Sequence, residues 1–275
     1  MSESLVRGVF KAAVGFVAAT LILLASTLYL SKYYLQRQQQ LAAENVEAAL
    51  ESTRLAARLS PLDSEPLVVE SNLLSAQGDM AGALGALQEA TRRDPANNVN
   101  YTTLGSFYLN QMDNPEAAVG AYREALERVP NATNVRGLLA TALSRSGDLE
   151  GAKREYEKLA EVDRLPLQSR YSLGKIYART GEPEKAIETL RDTRERAEER
   201  LGKAKEPQKA QKEAQREAFV QSVDLAIADA YVAREDYEGA ITVLEQSQSP
   251  QAPAIIELLR TDPATYRQQV LESEI

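Results

Sequence analysis

The chain has 275 residues, of which 44% are apolar, enough for a substantial core in one or two ordinary domains. Its net charge of −8 argues against a general nucleic-acid binder, which would carry a basic stripe with interleaved aromatics. It contains no cysteine, histidine or tryptophan. That removes any disulfide framework or thiolate site, together with the commonest general base and transition-metal ligand.

Residues 1–11 read as a short basic tail. Ala12 to Leu30 then run 19 residues without a charge, about 29 Å as a helix against a hydrocarbon core of about 30 Å. Arg7 and Lys11 precede this segment, and Lys32, Tyr33, Tyr34 and Arg37 follow it, with the tyrosines placed as an interfacial belt. A cleaved signal peptide is the competing reading. It would have a shorter apolar region, about 7–15 residues, and a clear small-x-small site, where Ala25, Ser26 and Thr27 offer only a weak one. The pattern favours a single-pass N-terminal anchor over 12–30. The basic flanks nearly balance, but a short basic tail fits retention inside, with the large domain extracytoplasmic (periplasmic); the cytoplasmic side stays open. Gly8 with Ala12, and Gly15 with Ala19, have small-xxx-small spacing, which arises easily by chance in an alanine-rich span.

No Gly or Pro interrupts Tyr29 to Ser60. The spacing predicts a helix over 31–61 that continues the span and packs on the first repeat, about 43 Å from Ser31 to Leu59. Pro61 ends it. Pro95 and Pro130 follow at 34 and 35 residues, and Arg164 takes the same place 34 residues later. Five positions before each stand Ala56, Ala90, Ala125 and Leu159. Self-similarity at this period marks helix–turn–helix units stacked into a solenoid, which normally offers surface to other proteins.

One unit carries Leu104, Gly105, Tyr108, Ala118, Tyr122, Ala125 and Pro130. The next has Leu139, Ala140, Gly147, Ala152 and Tyr156, and the one after it Leu173, Gly174, Tyr177, Gly181, Ala186 and Leu190. A later unit supplies Ala228, Tyr231, Ala240 and Leu244. A weaker early one has Ser71, Leu74, Gly78, Ala83, Leu87, Ala90 and Pro95, with Glu70 where an apolar residue is usual. These residues resemble the tetratricopeptide repeat (TPR) pattern of Leu-Gly-x-x-Tyr followed by Ala, an aromatic, Ala and Pro. The layout resembles that of membrane-anchored bacterial TPR proteins. The resemblance implies an all-α TPR solenoid over 64–248, about five repeats, behind one N-terminal transmembrane helix. Small residues are expected where paired helices cross, Tyr108, Tyr177 and Tyr231 between neighbouring units, and Gly147 and Gly181 as left-handed helix caps.

The spacing breaks once: Gly174 to its counterpart Ala228 is 54 residues. The extra sequence predicts an extended helical hairpin near 194–217. Its eight basic and six acidic residues suit a solvated hairpin ahead of a docking prong. Residues 249–275 read as C-terminal capping helices.

No phosphate loop, zinc pattern, nucleophile elbow or calcium loop is present in the sequence. Acidic pairs such as Glu198 with Glu199 and Glu182 with Glu184 read as ionic surface. Neither enzyme activity nor a cofactor, metal or small-molecule substrate is expected. Projecting the repeat positions that line a concave face gives Asn72, Ser106, Asn110, Asn134, Thr141, Arg145, Tyr171, Lys175 and Arg179. Such a groove would suit a peptide with acidic or amide groups, anchored by Arg145, Lys175 and Arg179, and stands against plain solvation. TPR proteins that bind the C-terminal carboxylate of heat-shock chaperones need a Lys/Asn clamp; Val68 and Thr103 occupy corresponding positions, so that activity is not implied. The expectation is a membrane-anchored scaffold or assembly factor for other proteins, in particular membrane or envelope proteins. The alternative is a constitutive structural subunit of a membrane complex. An enzyme subunit with a borrowed site is disfavoured by the missing His and Cys.

Overall fold

The computed structural model describes residues 3–199 and 209–272, and among these the regular elements are α-helices. One unit, Met1–Pro130, contains α1 (Glu3–Leu41), α2 (Val46–Leu59), α3 (Glu65–Ala76), α4 (Met80–Arg93), α5 (Asn98–Gln111) and α6 (Pro115–Arg128). The other, Asn131–Ile275, contains α7 (Thr133–Arg145), α8 (Leu149–Glu161), α9 (Leu167–Arg179), α10 (Pro183–Glu199), α11 (Lys209–Ala233), α12 (Tyr237–Gln246), α13 (Ala252–Thr261) and α14 (Pro263–Glu272). Within each unit, successive helices pack as hairpins, and each hairpin packs on the next.

The hairpin turns share one local device. Gly78, Asp113, Gly147, Gly181 and Glu235 all adopt positive φ, between 48° and 85°. A left-handed residue closes the first helix and lets the chain reverse; glycine takes it without a Cβ penalty. The following residue caps the second helix in four of the five turns. Asp79, Asn114, Asp148 and Asp236 accept the N–H of Gly82, Ala117, Gly151 and Gly239 at 2.8–2.9 Å. The left-handed caps expected at Gly147 and Gly181 are therefore present.

Four residues into each second helix, the chain keeps alanine: Ala83, Ala118, Ala152, Ala186 and Ala240, all fully buried. One turn farther along, large side chains of the second helix meet the glycines of the first. A Cβ on Gly105 would stand 2.7 Å from the Tyr122 ring, and one on Gly174 2.5 Å from Leu190. The tyrosines of the first helices reach back to the preceding hairpin. Tyr177 donates to Glu157 at 2.9 Å, and Arg191 donates to the Tyr231 hydroxyl at 2.7 Å. Arginines late in the second helices tie neighbours in the first unit: Arg93 donates to the Ala57 carbonyl and Arg128 to that of Pro95. The irregular Glu70 is matched by Arg54 of α2 at 2.8 Å, so the charge in α3 is paired.

One expectation needs correction. The helix after the apolar segment does not run unbroken through 31–61. It turns at 42–45, where Glu44 and Asn45 both donate to the Leu41 carbonyl and the Asn45 side chain caps α2 through the Ala48 N–H. The end of α1 then lies antiparallel to α2, with Ser31 donating to the Ala56 carbonyl and Ser52 to that of Tyr34, both at 2.9 Å. Leu35 and Gln38 are buried in this hairpin. Hence the last turns of α1 are themselves the first helix of a repeat. The insertion lies between α10 and α11. Helices α10 and α11, at 17 and 25 residues, are longer than their counterparts, and Arg194 joins them through Asp224 at 2.7 Å. The middle of the expected hairpin, 200–208, lies outside the described residues.

Glycine substitutions separate packing from backbone propensity. Gly105→Ala, forced against Tyr122, is expected to destabilise by about 2 kcal/mol through overpacking. Gly85→Ala, with nothing within 4 Å on an exposed face of α4, is expected to stabilise by about 0.5–1 kcal/mol. Urea unfolding of the full chain in mild detergent reads both signs.

Candidate functional site

The residues projected onto a concave face fall in both units. In the first unit, Asn72 of α3 and Asn110 of α5 are exposed. Ser106 is half-buried, and its hydroxyl lies 3.1 Å from that of Tyr122, which is fully buried. A lone buried phenol is costly, so Ser106 serves α6 packing before it serves any ligand.

In the second unit the same pattern recurs. Asn134 and Arg145 of α7 are exposed. Thr141 donates to the Gly137 carbonyl and lies 3.0 Å from the buried Tyr156 hydroxyl. Asn134, Gly137 and Thr141 border an open cleft of about 450 Å³ that Arg164, Pro166 and Ser169 complete.

The three residues on α9 have a different setting. Tyr171, Lys175 and Arg179 sit four apart on one face, and that face is covered from within the chain. Phe219 of α11 packs edge-on against Tyr171, with ring centroids 5.9 Å apart. Lys175 lies 5.8 Å from the Tyr171 ring centroid. Arg179 donates to the Leu271 carbonyl at the end of α14 at 3.3 Å. All three side chains are half-buried. Of the basic anchors expected to face a peptide, Arg179 thus bonds to the chain's own last helix.

Asp229 of α11 completes this cluster. It accepts from the Tyr266 hydroxyl of α14 at 2.8 Å. The residue as a whole is half-buried, but its carboxyl end is enclosed beneath α14. Removal from water pushes its pKa up to about 6, while the Tyr266 hydrogen bond and nearby Lys175 pull the other way. Burial also lowers the Lys175 pKa, partly offset by Asp229. Tyr266, buried beside the carboxylate, is pushed well above the ordinary phenol range. Sequence reasoning missed Phe219, Asp229 and Tyr266. The available signal was the four-residue spacing of Tyr266 and Val270 after the Asp262 cap, an apolar stripe on a helix of ten residues.

Among the described residues no group of three or more His, Cys, Asp or Glu is placed to hold a metal. The arrangement offers hydrogen-bonding side chains and one arginine on helix surfaces, which suits recognition of a polypeptide.

Comparison with known proteins bears on the repeats. The tetratricopeptide repeat family model matches residues 68–133 and 138–199, most of α3 through α6 and of α7 through α10. No curated protein matches the chain. Among solved structures, YrrB, a TPR protein with an unusual peptide-binding site, is 16% identical with a TM-score of 0.59, over 76% of this chain and 100% of its own. The pilF protein of Pseudomonas aeruginosa is 16% identical with a TM-score of 0.56, over 91% and 100%. MamA is 18% identical with a TM-score of 0.55, over 65% and 98%. At these identities the likeness shows the fold, an all-α repeat solenoid.

The Asp229 cluster has a measurable pH signature. Folding raises this carboxyl from an ordinary 3.8, so the folded state holds its proton more tightly, and stability from this group falls as pH rises through about 6. Asp229→Asn is expected to be more stable than the parent at pH 7 by about 1–2 kcal/mol. The difference should vanish near pH 4, as read by urea midpoints across that range.

Proposed function

We propose that this chain, whose two matched blocks are tetratricopeptide repeats, is a membrane-anchored scaffold or assembly factor that binds other proteins through its repeat surface. The observation that carries the reading is the exposure of Asn72, Asn110, Asn134 and Arg145 on the first helices. Side-chain amides and a guanidinium at these places suit extended peptide with acidic or amide groups. The peptide-binding site of YrrB, on the same fold, is in keeping with it.

The anchor reading rests on α1. It is long and apolar enough to cross a membrane, and its apolar window is wholly unburied. Phe10, Phe16, Ile22 and Leu23 are each well over half exposed, a row of side chains that water does not tolerate in such density. In a bilayer this exposure becomes favourable burial. The basic tail before the span favours an extracytoplasmic repeat domain, and hence membrane or envelope proteins as partners.

A second reading has its own observation. Because α11 covers Tyr171 and α14 engages Arg179, the second unit has less open surface for a transient client. That favours a constitutive accessory subunit held chiefly by its transmembrane helix.

Affinity purification in mild detergent with mass spectrometry distinguishes the two, comparing the full chain with one starting at Ser31. The start must keep Ser31 and Leu35, which complete the first hairpin. Partners retained by both forms place recognition on the repeats, and Arg145→Glu should then weaken capture about tenfold, the scale of one charge-assisted contact. Partners lost with the apolar segment, and indifferent to Arg145→Glu, favour the accessory subunit.

A further inference from the structure

The turn between α2 and α3 sits where a soluble repeat would have no reason to place an apolar side chain. Leu62, at its tip, is 84% exposed, the most exposed of the large apolar side chains described. Its position relative to α1 follows from the first hairpin. Ser52 meets the Tyr34 backbone and Ser31 meets that of Ala56, so the two helices run antiparallel with α2 descending toward the apolar segment. One more turn of α2, about 5 Å, brings Leu59 and Ser60 to the level of Thr27. In agreement, Thr27 is the only side chain between Phe10 and Leu30 that is partly covered.

The charges at this level are arranged to permit contact with lipid. Asp63 and Glu65 follow Leu62, and both carboxylates pair with Lys32, two residues beyond the end of the uncharged run. The hydrogen bond to Glu65, followed by the charge and hydrogen bond of Asp63, holds Lys32 above the ordinary lysine range. Arg58, exposed in the last turn of α2, is long enough to extend its guanidinium to phosphate headgroups. Tyr29 and Tyr33, both exposed, mark the same interfacial level on α1.

We infer that the α2–α3 turn is a second membrane contact: Leu62 enters the interfacial layer beside α1, and the first repeat rests on the lipid surface. The inference depends on α1 spanning the membrane. It goes beyond anchoring because a single helix tethers a domain, whereas a helix and an adjacent apolar tip fix its inclination. The occupant of this surface is lipid. A protein partner would instead leave Leu62 in water in a pure lipid bilayer.

The chain has no tryptophan, so one introduced tryptophan reports alone. Leu62→Trp, Tyr29→Trp and Gln40→Trp are made in the full chain. Each is reconstituted in phosphatidylcholine–phosphatidylglycerol vesicles, unmodified or brominated near the headgroup end of the acyl chains. Gln40, exposed ten residues past the apolar run, is about 15 Å farther along α1 and serves as the aqueous reference. The expected result is that Tyr29→Trp and Leu62→Trp both lose most of their fluorescence to bromine, while Gln40→Trp loses none. Quenching of Tyr29→Trp without quenching of Leu62→Trp overturns the second contact and leaves the anchor standing. Absence of quenching at Tyr29→Trp overturns the anchor and this inference together. Leu62 makes no buried contact, so the substitution leaves the fold intact, which circular dichroism checks.

Discussion

Two helices can lie side by side at close range only where one of them has almost no side chain, and the repeat hairpins here depend on that. Ala83, Ala118, Ala152, Ala186 and Ala240 occupy the crossing on the second helix, each without solvent exposure. Gly105 and Gly174 provide the matching clearance on the first, with Tyr122 and Leu190 filling the space a Cβ would need. Close approach raises the number of dispersion contacts but leaves the outer faces of each pair apolar and uncovered. Stacking the next hairpin covers them, so one local constraint yields a repeating architecture.

The same constraint decides which polar groups are available for recognition. Tyrosines that fill the interior bring hydroxyls with them, and those hydroxyls must be partnered. Ser106 and Thr141 are engaged by Tyr122 and Tyr156 for this reason. Asn110 and Arg145, one helical turn farther out, stand exposed. At the end of the second unit a different solution appears. The final hairpin has no following repeat, and α14 folds back over α11 and α9, burying Val270 and setting Tyr266 on Asp229. Capping and occupation of a candidate surface are there the same event.

In the first unit the apolar face of the first hairpin is closed by the end of α1. The last turns of α1 pack on α2 through Ser31, Leu35 and Gln38, so the helix proposed to anchor the protein also completes its first repeat. There is no tether to average out orientation. The exposed face of α1 changes from apolar to polar within two turns, and Lys32 with its paired carboxylates lies at that change.

Much of this was legible in the amino-acid order, because a 34-residue period, the glycines at Gly147 and Gly181 and the alanines at the crossings are local requirements written once per repeat. Even the turn at 42–45 was recoverable: Ala49 and Ala56 keep the register of Ala83 and Ala90, and Asn45 holds the place of Asp79. It escaped notice because an asparagine cap breaks a helix without Gly or Pro. Contacts between residues far apart in the chain were not legible. The Arg54–Glu70 pair, the Arg194–Asp224 pair and above all the cover that α11 and α14 place over Tyr171, Lys175 and Arg179 depend on how helices of differing length come to rest. The sequence by itself determined the period, the caps and the long apolar segment, since each follows from interactions within a turn or between adjacent helices. Only the tertiary structure decided which concave residues remain open, because an amphipathic helix of ten residues names its buried face but not the partner it covers.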